Sequence, residues 1–131
     1  MTTTETTNPG RRVLVVDDVM LNRKLAMVFL SKMGWQPLDA DGGQAAINWL
    51  CNHPSVDLVL LDISMPDLSG EEVCRQLRTN PAFASLKIVA YTAHAGQTDI
   101  DRFLVNGFNA VLIKPISMQR LKDVVVELFP D

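Results

Sequence analysis

The chain has 131 residues, of which 47% are hydrophobic and 21% charged, and its formal net charge is −3. A chain of this length folds as one domain and buries roughly two thirds of its unfolded surface, so it needs no disulfide or structural metal for stability. The acidic balance argues against direct binding of nucleic acid, and no apolar run approaches the ~18 residues of a membrane helix. Composition therefore predicts a soluble domain without membrane contact.

The cysteines and the first ten residues indicate where such a domain works. Cys51 and Cys74 lie in helical patterns without the spacing of metal ligands, which indicates reduced thiols in the cytoplasm. Residues 1–10 are polar and contain no apolar segment, so we do not expect a secretory signal there. We expect a disordered tail or linker at 1–10 and a single domain at 11–131.

The first third of the domain reads as strand, acidic turn and helix. A short apolar run from Arg12 to Val16 predicts a buried strand that stops at Asp17 and Asp18. The helix that follows should end near Met33-Gly34, because glycine is favoured just past a helix. Its apolar residues at helical spacing are Leu21, Leu25, Val28 and Phe29.

A weaker strand and a second helix come next. The strand runs from Trp35 to Ala40, and Pro37 places it at an edge of the sheet because proline cannot donate to a neighbouring strand. Asp41 is expected to cap the helix, which ends before the break at His53-Pro54. Its predicted sheet-facing residues are Ala45, Ala46, Trp49 and Leu50.

The third strand carries the residue on which the functional prediction depends. Residues Val56 to Leu61 are predominantly apolar and deliver Asp62, a pattern typical of a parallel strand buried on both faces. Open α/β sheets place their ligand chemistry at such carboxyl ends. After a loop that contains Met65-Pro66, a helix is predicted from near Gly70 to Arg78.

Two more strand–helix pairs complete the pattern. Apolar runs predict strands at Leu86 to Tyr91, ending at Thr92, and at Asn109 to Ile113, ending at Lys114. The helices after them are marked by Ile100, Phe103 and Leu104 and by Leu121, Val125 and Leu128. Five strands alternating with five helices predict an α/β fold with a parallel sheet covered on both faces.

Polar residues at four strand ends should meet at one edge of this sheet: Asp17-Asp18, Asp62, Thr92 and Lys114. At ~4 Å and an effective dielectric of about 20, each pair of carboxylates repels by about 4 kcal/mol, so a proton or a cation must intervene. Mg2+ suits such oxygen ligands. Together with Lys114 it would offset the three carboxylates and leave a site able to receive a phosphoryl group on Asp62.

Four motifs in this order resemble the receiver domain of bacterial two-component response regulators. They are Val-Asp-Asp at 16–18, Leu-Asp-Ile-Ser-Met-Pro-Asp-Leu-Ser-Gly at 61–70, Tyr-Thr-Ala-His-Ala at 91–95 and Ile-Lys-Pro-Ile at 113–116. The resemblance spans about Arg11 to Phe129. It implies a flavodoxin-like, doubly wound five-stranded parallel sheet with strand order 2-1-3-4-5 and five helices.

The resemblance also implies a signalling role rather than a classical enzyme. Asp62 would accept a phosphoryl group from a phosphohistidine on a sensor histidine kinase or a histidine phosphotransfer protein. The domain would assist its own phosphorylation and dephosphorylation. Asp18 and Asp62 would bind Mg2+ directly, Asp17 through water, and Ser64 through its backbone carbonyl.

Further implied roles concern the other strand ends. Thr92 would hydrogen-bond a phosphoryl oxygen, and Lys114 would pair with Asp62 and later with the phosphoryl group. The Lys114-Pro115 bond would be cis, and Gly70 would close the loop beyond Asp62. The family often has an aromatic residue three positions before the lysine, where this chain has Val111. We therefore expect a smaller change on activation across the fourth helix, fifth strand and fifth helix.

Several alternatives stand beside this interpretation. An aspartyl-phosphate hydrolase would need a second acid at the position of Ser64, and a flavin-binding module would need a phosphate loop where Asp17-Asp18 would repel phosphate. A docking pseudo-receiver would lack one of the site residues. The motifs 92–95 and 114–116 look more like the receivers of hybrid kinases, so the chain is interpreted as part of a larger hybrid kinase or a phosphorelay.

Several other polar residues are predicted to have structural or minor roles. Asp39 and Asp67 are interpreted as solvated caps, and His53 as a loop residue. His94, two residues past Thr92, is interpreted as a residue that tunes access of water to the site or as a bystander, rather than as a phosphate donor.

Overall fold

The computed structural model describes residues 11–53 and 55–130, so the predicted tail at 1–10 lies outside the described residues. A parallel five-stranded sheet has the order β2-β1-β3-β4-β5, which confirms the predicted topology. The strands are β1 (Arg12–Val16), β2 (Gln36–Ala40), β3 (Leu58–Asp62), β4 (Lys87–Thr92) and β5 (Ala110–Ile113). The α-helices are α1 (Met20–Lys32), α2 (Gly43–Asn52), α3 (Gly70–Arg78), α4 (Gln97–Val105) and α5 (Met118–Leu128), with a 3-10 turn at Pro81–Phe83.

Alternation along β3 divides the core into two layers. Leu58 and Leu60 face one side of the sheet, where they join a cluster containing residues of α1 and α5. Val59 and Leu61 face the other side and join residues of α2, α3 and α4. All five residues of β3 are buried, as the apolar run predicts for a central parallel strand. The sheet therefore carries a helix layer on each face, which leaves the ends of the strands as the place for a functional site.

Helix α1 buries a different face from the one that its large apolar residues mark. Ala26 and Leu30 are fully buried, whereas Leu21, Leu25 and Val28 are 78%, 41% and 49% exposed. The small side chain of Ala26 lets the helix backbone approach the sheet closely. Helical spacing defines a stripe of apolar residues but does not decide which stripe faces the sheet when a helix carries two.

Two predictions for α2 are wrong. Ala46 and Leu50 are buried and Trp49 is half-buried, but Ala45 is exposed. The N-cap position is occupied by Gly42 rather than Asp41, and no side chain of the cap residue accepts a hydrogen bond. The acceptor comes instead from Asp67, far along the chain.

None of the described helices combines the length and hydropathy that crossing a bilayer requires.

Candidate functional site

Three carboxylates meet at the carboxyl edge of β1 and β3. The two strands pair in parallel with Val16 opposite Leu61, so the next residues, Asp17 and Asp62, lie side by side. Asp17 is 0% and Asp62 3% exposed, whereas Asp18 is exposed to solvent. One carboxylate oxygen from each of the three lies within 4.8 Å of the others. The predicted convergence of the strand ends is therefore present.

Lys114 reaches this cluster from β5. Its ammonium nitrogen lies 3.1 Å from Asp17 Oδ2 and donates a hydrogen bond to Asp62 Oδ1 at 3.2 Å. The same nitrogen lies 4.5 Å from the centre of the Tyr91 ring, so the cation sits over an aromatic face. The Lys114 amide donates to the Thr92 carbonyl at 2.8 Å, and the peptide bond to Pro115 is cis as predicted.

The electrostatics of the cluster are unbalanced without a further cation. Burial, reinforced by the Asp17 carboxylate, raises the pKa of Asp62 to about 6, although Lys114 opposes the shift. Burial also raises the pKa of the Tyr91 hydroxyl above its usual range, and Asp17 contributes to that shift. A single lysine therefore does not compensate the carboxylates fully, because a pKa of about 6 leaves part of Asp62 protonated near neutral pH.

The donor atoms suit a hard divalent cation. Asp17 Oδ1 accepts the Val19 amide at 2.9 Å. Its buried Oδ2 has the Lys114 ammonium as an ion-pair partner but accepts no hydrogen bond among the described residues. An incompletely satisfied buried carboxylate beside two others is the arrangement that Mg2+ or a similar ion would complete. The cluster of Asp17, Asp18 and Asp62 could therefore hold a metal.

A cleft of about 320 Å3 opens above the carboxylates. It is lined by Asp18, Val19, Asp62, Ser64, Thr92, Ala93, His94 and Lys114. The Ser64 amide donates to Asp62 Oδ1 at 3.3 Å. The Thr92 hydroxyl donates to the His94 carbonyl at 3.2 Å and accepts the His94 amide at 3.4 Å. Six of the seven residues predicted for the site or beside it therefore line one cleft, and the seventh, Asp17, is fully buried beside Lys114.

Gly70 permits the close turn behind Asp62. A Cβ atom at this position would stand 2.3 Å from the Asp62 carbonyl oxygen, which no side chain can tolerate. The Gly70 amide also donates to the Ile63 carbonyl at 2.8 Å and so closes the loop after β3, as predicted.

Sequence reasoning missed two participants around the site, Tyr91 and Arg23. Tyr91 supplies the ring beneath the Lys114 ammonium, and its hydroxyl donates to the Asn22 carbonyl. Arg23 donates to the Asp17 carbonyl at 2.8 Å and pairs with Asp39 at 2.9 Å, so Asp39 is not merely a solvated cap. No motif signals these contacts, because each joins residues from separate elements.

A further missed contact concerns Asp67. This residue was predicted to be a solvated cap, but its carboxylate accepts two amides of α2. Those hydrogen bonds hold the pKa of Asp67 below its usual range. His53 was predicted to be a loop residue, and it does lie just past the end of α2. Its ring stacks on that of Trp49, with the ring centres 4.0 Å apart.

Comparisons with known proteins agree with the fold and the motifs. The model of the family described as "Response regulator receiver domain" matches residues 13–126. The sensor protein GacS of Pseudomonas syringae is 38% identical over 119 residues, which cover 88% of this chain and 13% of GacS. The response regulator DivK of Brucella ovis is 30% identical, over 92% of this chain and 98% of DivK. The chain thus spans a small part of the sensor kinases that it matches.

A solved structure extends the similarity to the backbone. The chemotaxis protein CheY4 of Vibrio cholerae superimposes with a TM-score of 0.84 at 21% identity, covering 90% of this chain and 98% of that one. At this identity the likeness concerns the fold alone.

Proposed function

The chain belongs to the response regulator receiver domain family, and from that premise we propose that Asp62 accepts a phosphoryl group. The donor is a phosphohistidine on a sensor histidine kinase or a histidine phosphotransfer protein. One observation carries the proposal: Asp62 is almost fully buried, yet it borders a cleft of about 320 Å3 and is held by Lys114. A carboxylate so placed is oriented for attack on a group that enters the cleft.

The contacts of Asp62 indicate how the transfer proceeds. Both hydrogen bonds to its carboxylate, from Lys114 and from the Ser64 amide, fall on Oδ1. Among the described residues Oδ2 accepts none, so we assign the attack to this oxygen. It forms a bond to phosphorus while the phosphorus–nitrogen bond of phosphohistidine breaks, and the imidazole nitrogen keeps that electron pair.

The acidic cluster supports Mg2+ as the cofactor. Asp18 and Asp62 would hold the ion directly, Asp17 through water, and Ser64 through its backbone carbonyl. When bound, Mg2+ supplies positive charge that keeps Asp62 ionised and offsets the charge of the phosphoryl oxygens. The raised pKa of Asp62 and the unsatisfied Oδ2 of Asp17 are the features of the described structure that favour this assignment.

Thr92 and Lys114 respond once the phosphoryl group is in place. Lys114 is within reach of both buried carboxylates and can transfer its hydrogen bond to a phosphoryl oxygen. The Thr92 hydroxyl is occupied by the His94 carbonyl, so it must rotate to donate into the cleft. Because Val111 carries no ring, this rotation is not relayed by an aromatic side chain there. His94 borders the cleft and is exposed, a position that lets it tune the access of water.

The alternatives are not favoured. A hydrolase would need a second acid at the position of Ser64, which offers a hydroxyl. A docking pseudo-receiver would lack a site residue, and this chain has all of them.

We take the receiver domain to span 11–131 and assign it to the cytoplasm, without direct nucleic-acid or membrane contact. The match to part of GacS supports an origin in a hybrid kinase or phosphorelay.

One experiment tests the function directly. The chain is incubated with acetyl phosphate and Mg2+, and intact mass spectrometry counts the phosphoryl groups gained by the wild type, Asp62→Asn and Asp123→Asn. Asp123 is an exposed aspartate on α5 and controls for the loss of one charge. We expect one phosphoryl group on the wild type and on Asp123→Asn, and none on Asp62→Asn or in the presence of EDTA. Equal modification of Asp62→Asn would refute the proposal.

A further inference from the structure

Asp67 joins the loop after β3 to a helix that precedes it by more than twenty residues. Its Oδ1 accepts the Gly43 amide at 3.1 Å and its Oδ2 accepts the Gln44 amide at 2.9 Å. These are the first two residues of α2, whose amides have no partner within the helix. The N-cap residue, Gly42, has no side chain that could accept them. A loop side chain therefore caps the helix in place of the N-cap residue.

The surrounding residues leave just enough room for this contact. A Cβ atom at Gly42 would stand 3.1 to 3.3 Å from atoms of the Asp67 carboxylate. A Cβ atom at Gly43 would stand 2.8 Å from side-chain atoms of Leu68 and Val73. A side chain at Gly42 would displace the Asp67 carboxylate by a few tenths of an ångström, and one at Gly43 would force Leu68 or Val73 to move. The chain thus combines an acceptor on the loop with two glycines on the helix that permit its approach.

The tip of the loop is therefore fixed at a third place besides its two ends. At the start, the Ser64 amide binds the Asp62 carboxylate. At the end, the Gly70 amide binds the Ile63 carbonyl and closes the loop. Between them, Asp67 is attached to α2. Ser64 lies on this fixed loop, three residues before Asp67, and carries the carbonyl assigned above to Mg2+.

We propose that Asp67 is a positioning residue for Mg2+: its attachment to α2 holds the 63–69 loop in the shape that presents the Ser64 carbonyl to the ion. This inference rests on the proposed function. Residues that orient metal ligands commonly contribute 10- to 100-fold to metal affinity. Asp67 acts through the loop backbone rather than on the ligand itself, so its loss should weaken Mg2+ binding by about five- to tenfold.

The test compares two aspartates in the full chain. Asp67→Ala removes the carboxylate from α2. The matched control, Asp57→Ala, removes another carboxylate that accepts a distant backbone amide, that of Arg12 at 3.0 Å, beside the amino end of β3. Both variants lose one negative charge. Mg2+ affinity is measured by isothermal titration calorimetry, and hydrogen exchange reports on the amides of Gly43 and Gln44.

We expect Asp67→Ala to bind Mg2+ about five- to tenfold more weakly, with faster exchange at both α2 amides, and Asp57→Ala to stay within about twofold of the wild type. Asp67→Asn keeps one of the two acceptor oxygens, so it should bind Mg2+ with an affinity between those of Asp67→Ala and the wild type. A role confined to stability would lower the unfolding free energy of Asp67→Ala and leave its Mg2+ affinity unchanged, which would overturn the proposal. Absence of Mg2+ binding by the wild type would overturn both this proposal and the assigned function, whereas the unchanged variant overturns this one alone.

Discussion

The loops after β3 and β4 border the same cleft but are held very differently. In the 63–69 loop the Ser64 amide donates to the Asp62 carboxylate and the Ile63 carbonyl accepts the Gly70 amide. The Asp67 carboxylate in addition accepts two amides of α2. Among the described residues, the hydrogen bonds of the 93–96 loop are local: His94 bonds to Thr92, and Gly96 bonds to Asp99 at the start of α4. The 63–69 loop is thus tied to a distant helix, whereas the hydrogen bonds described for the 93–96 loop reach only neighbouring residues and oppose a rearrangement less.

This difference suits the proposed function, in which the domain binds Mg2+ and then rearranges on phosphorylation. Ligands that are already held in place bind a cation without a further loss of conformational entropy. A hydroxyl such as that of Thr92 can exchange one acceptor for another when a charged group arrives. The contrast between a fixed and an adaptable loop leads to four predictions, ordered from the largest expected effect to the smallest.

The largest effect should come from adding one methyl group at Gly70, where the 63–69 loop meets α3. Gly70→Ala places a Cβ atom 2.3 Å from the Asp62 carbonyl oxygen, so the fixed loop must deform. We expect a loss of about 3 kcal/mol of unfolding free energy in urea denaturation. Gly96→Ala is the control, because nothing lies within 4 Å of its Cβ position, and it should cost less than about 1 kcal/mol. Equal costs would show that the two loops are equally adaptable.

The second prediction concerns how the titration of the Asp62 carboxylate makes stability depend on pH. The pKa of Asp62 is about 6 in the folded chain, above its value of about 3.9 in the unfolded chain. Between these values the folded state binds more protons, so stability should fall as pH rises from about 4 to about 6, by on the order of 2 kcal/mol. Urea titrations in EDTA measure this loss.

Two comparisons assign that pH dependence to Asp62. Asp62→Asn should flatten it, because the amide does not titrate. Added Mg2+ should reduce it in the wild type, because a cation favours the ionised carboxylate. A slope that persists in Asp62→Asn would contradict the assignment.

The third prediction concerns how a change at Thr92 reaches the surface formed by α4, β5 and α5. Val111 is half-buried on β5 and packs in the core layer under α4. We expect beryllofluoride with Mg2+ to cause small NMR shifts across α4, β5 and α5 in the wild type and larger ones in Val111→Tyr, which introduces a ring. Large shifts across this surface in the wild type would show that Val111 does not limit the response.

The smallest effect should come from the contact that links α4 to α3. Arg102 donates to both carboxylate oxygens of Glu71, at 3.0 and 3.2 Å. Exposed ion pairs contribute little to global stability, so Arg102→Ala should leave the urea midpoint almost unchanged. It should still speed hydrogen exchange in α4 roughly threefold, because α4 loses both its contact with Glu71 and its internal ion pair with Asp99.

A matched control tests whether this contact restrains α4. Arg75→Ala removes an arginine that pairs with Glu72 within α3 alone. We expect no change of exchange in α4 for this variant. Equal acceleration of α4 by the two variants would mean that the contact between helices has no specific effect.

Much of the site could be predicted because it lies at the ends of strands. Residues that directly follow or end an apolar run in a parallel sheet reach the same edge by construction, so Asp17, Asp62, Thr92 and Lys114 were predicted as neighbours. Contacts between elements could not be predicted in this way. The pairing of Arg23 with Asp39 joins a helix to a strand, and the capping of α2 by Asp67 spans more than twenty residues.

The sequence by itself determined the order of the elements, the fully buried β3 and the motifs that mark the site, because periodicity and turn residues act over a few positions. Tertiary structure alone decided which stripe of α1 faces the sheet and which carboxylate caps α2. It also decided that the Thr92 hydroxyl is bound to the His94 carbonyl. These outcomes depend on which groups come within contact distance in three dimensions, and local sequence patterns do not contain that information.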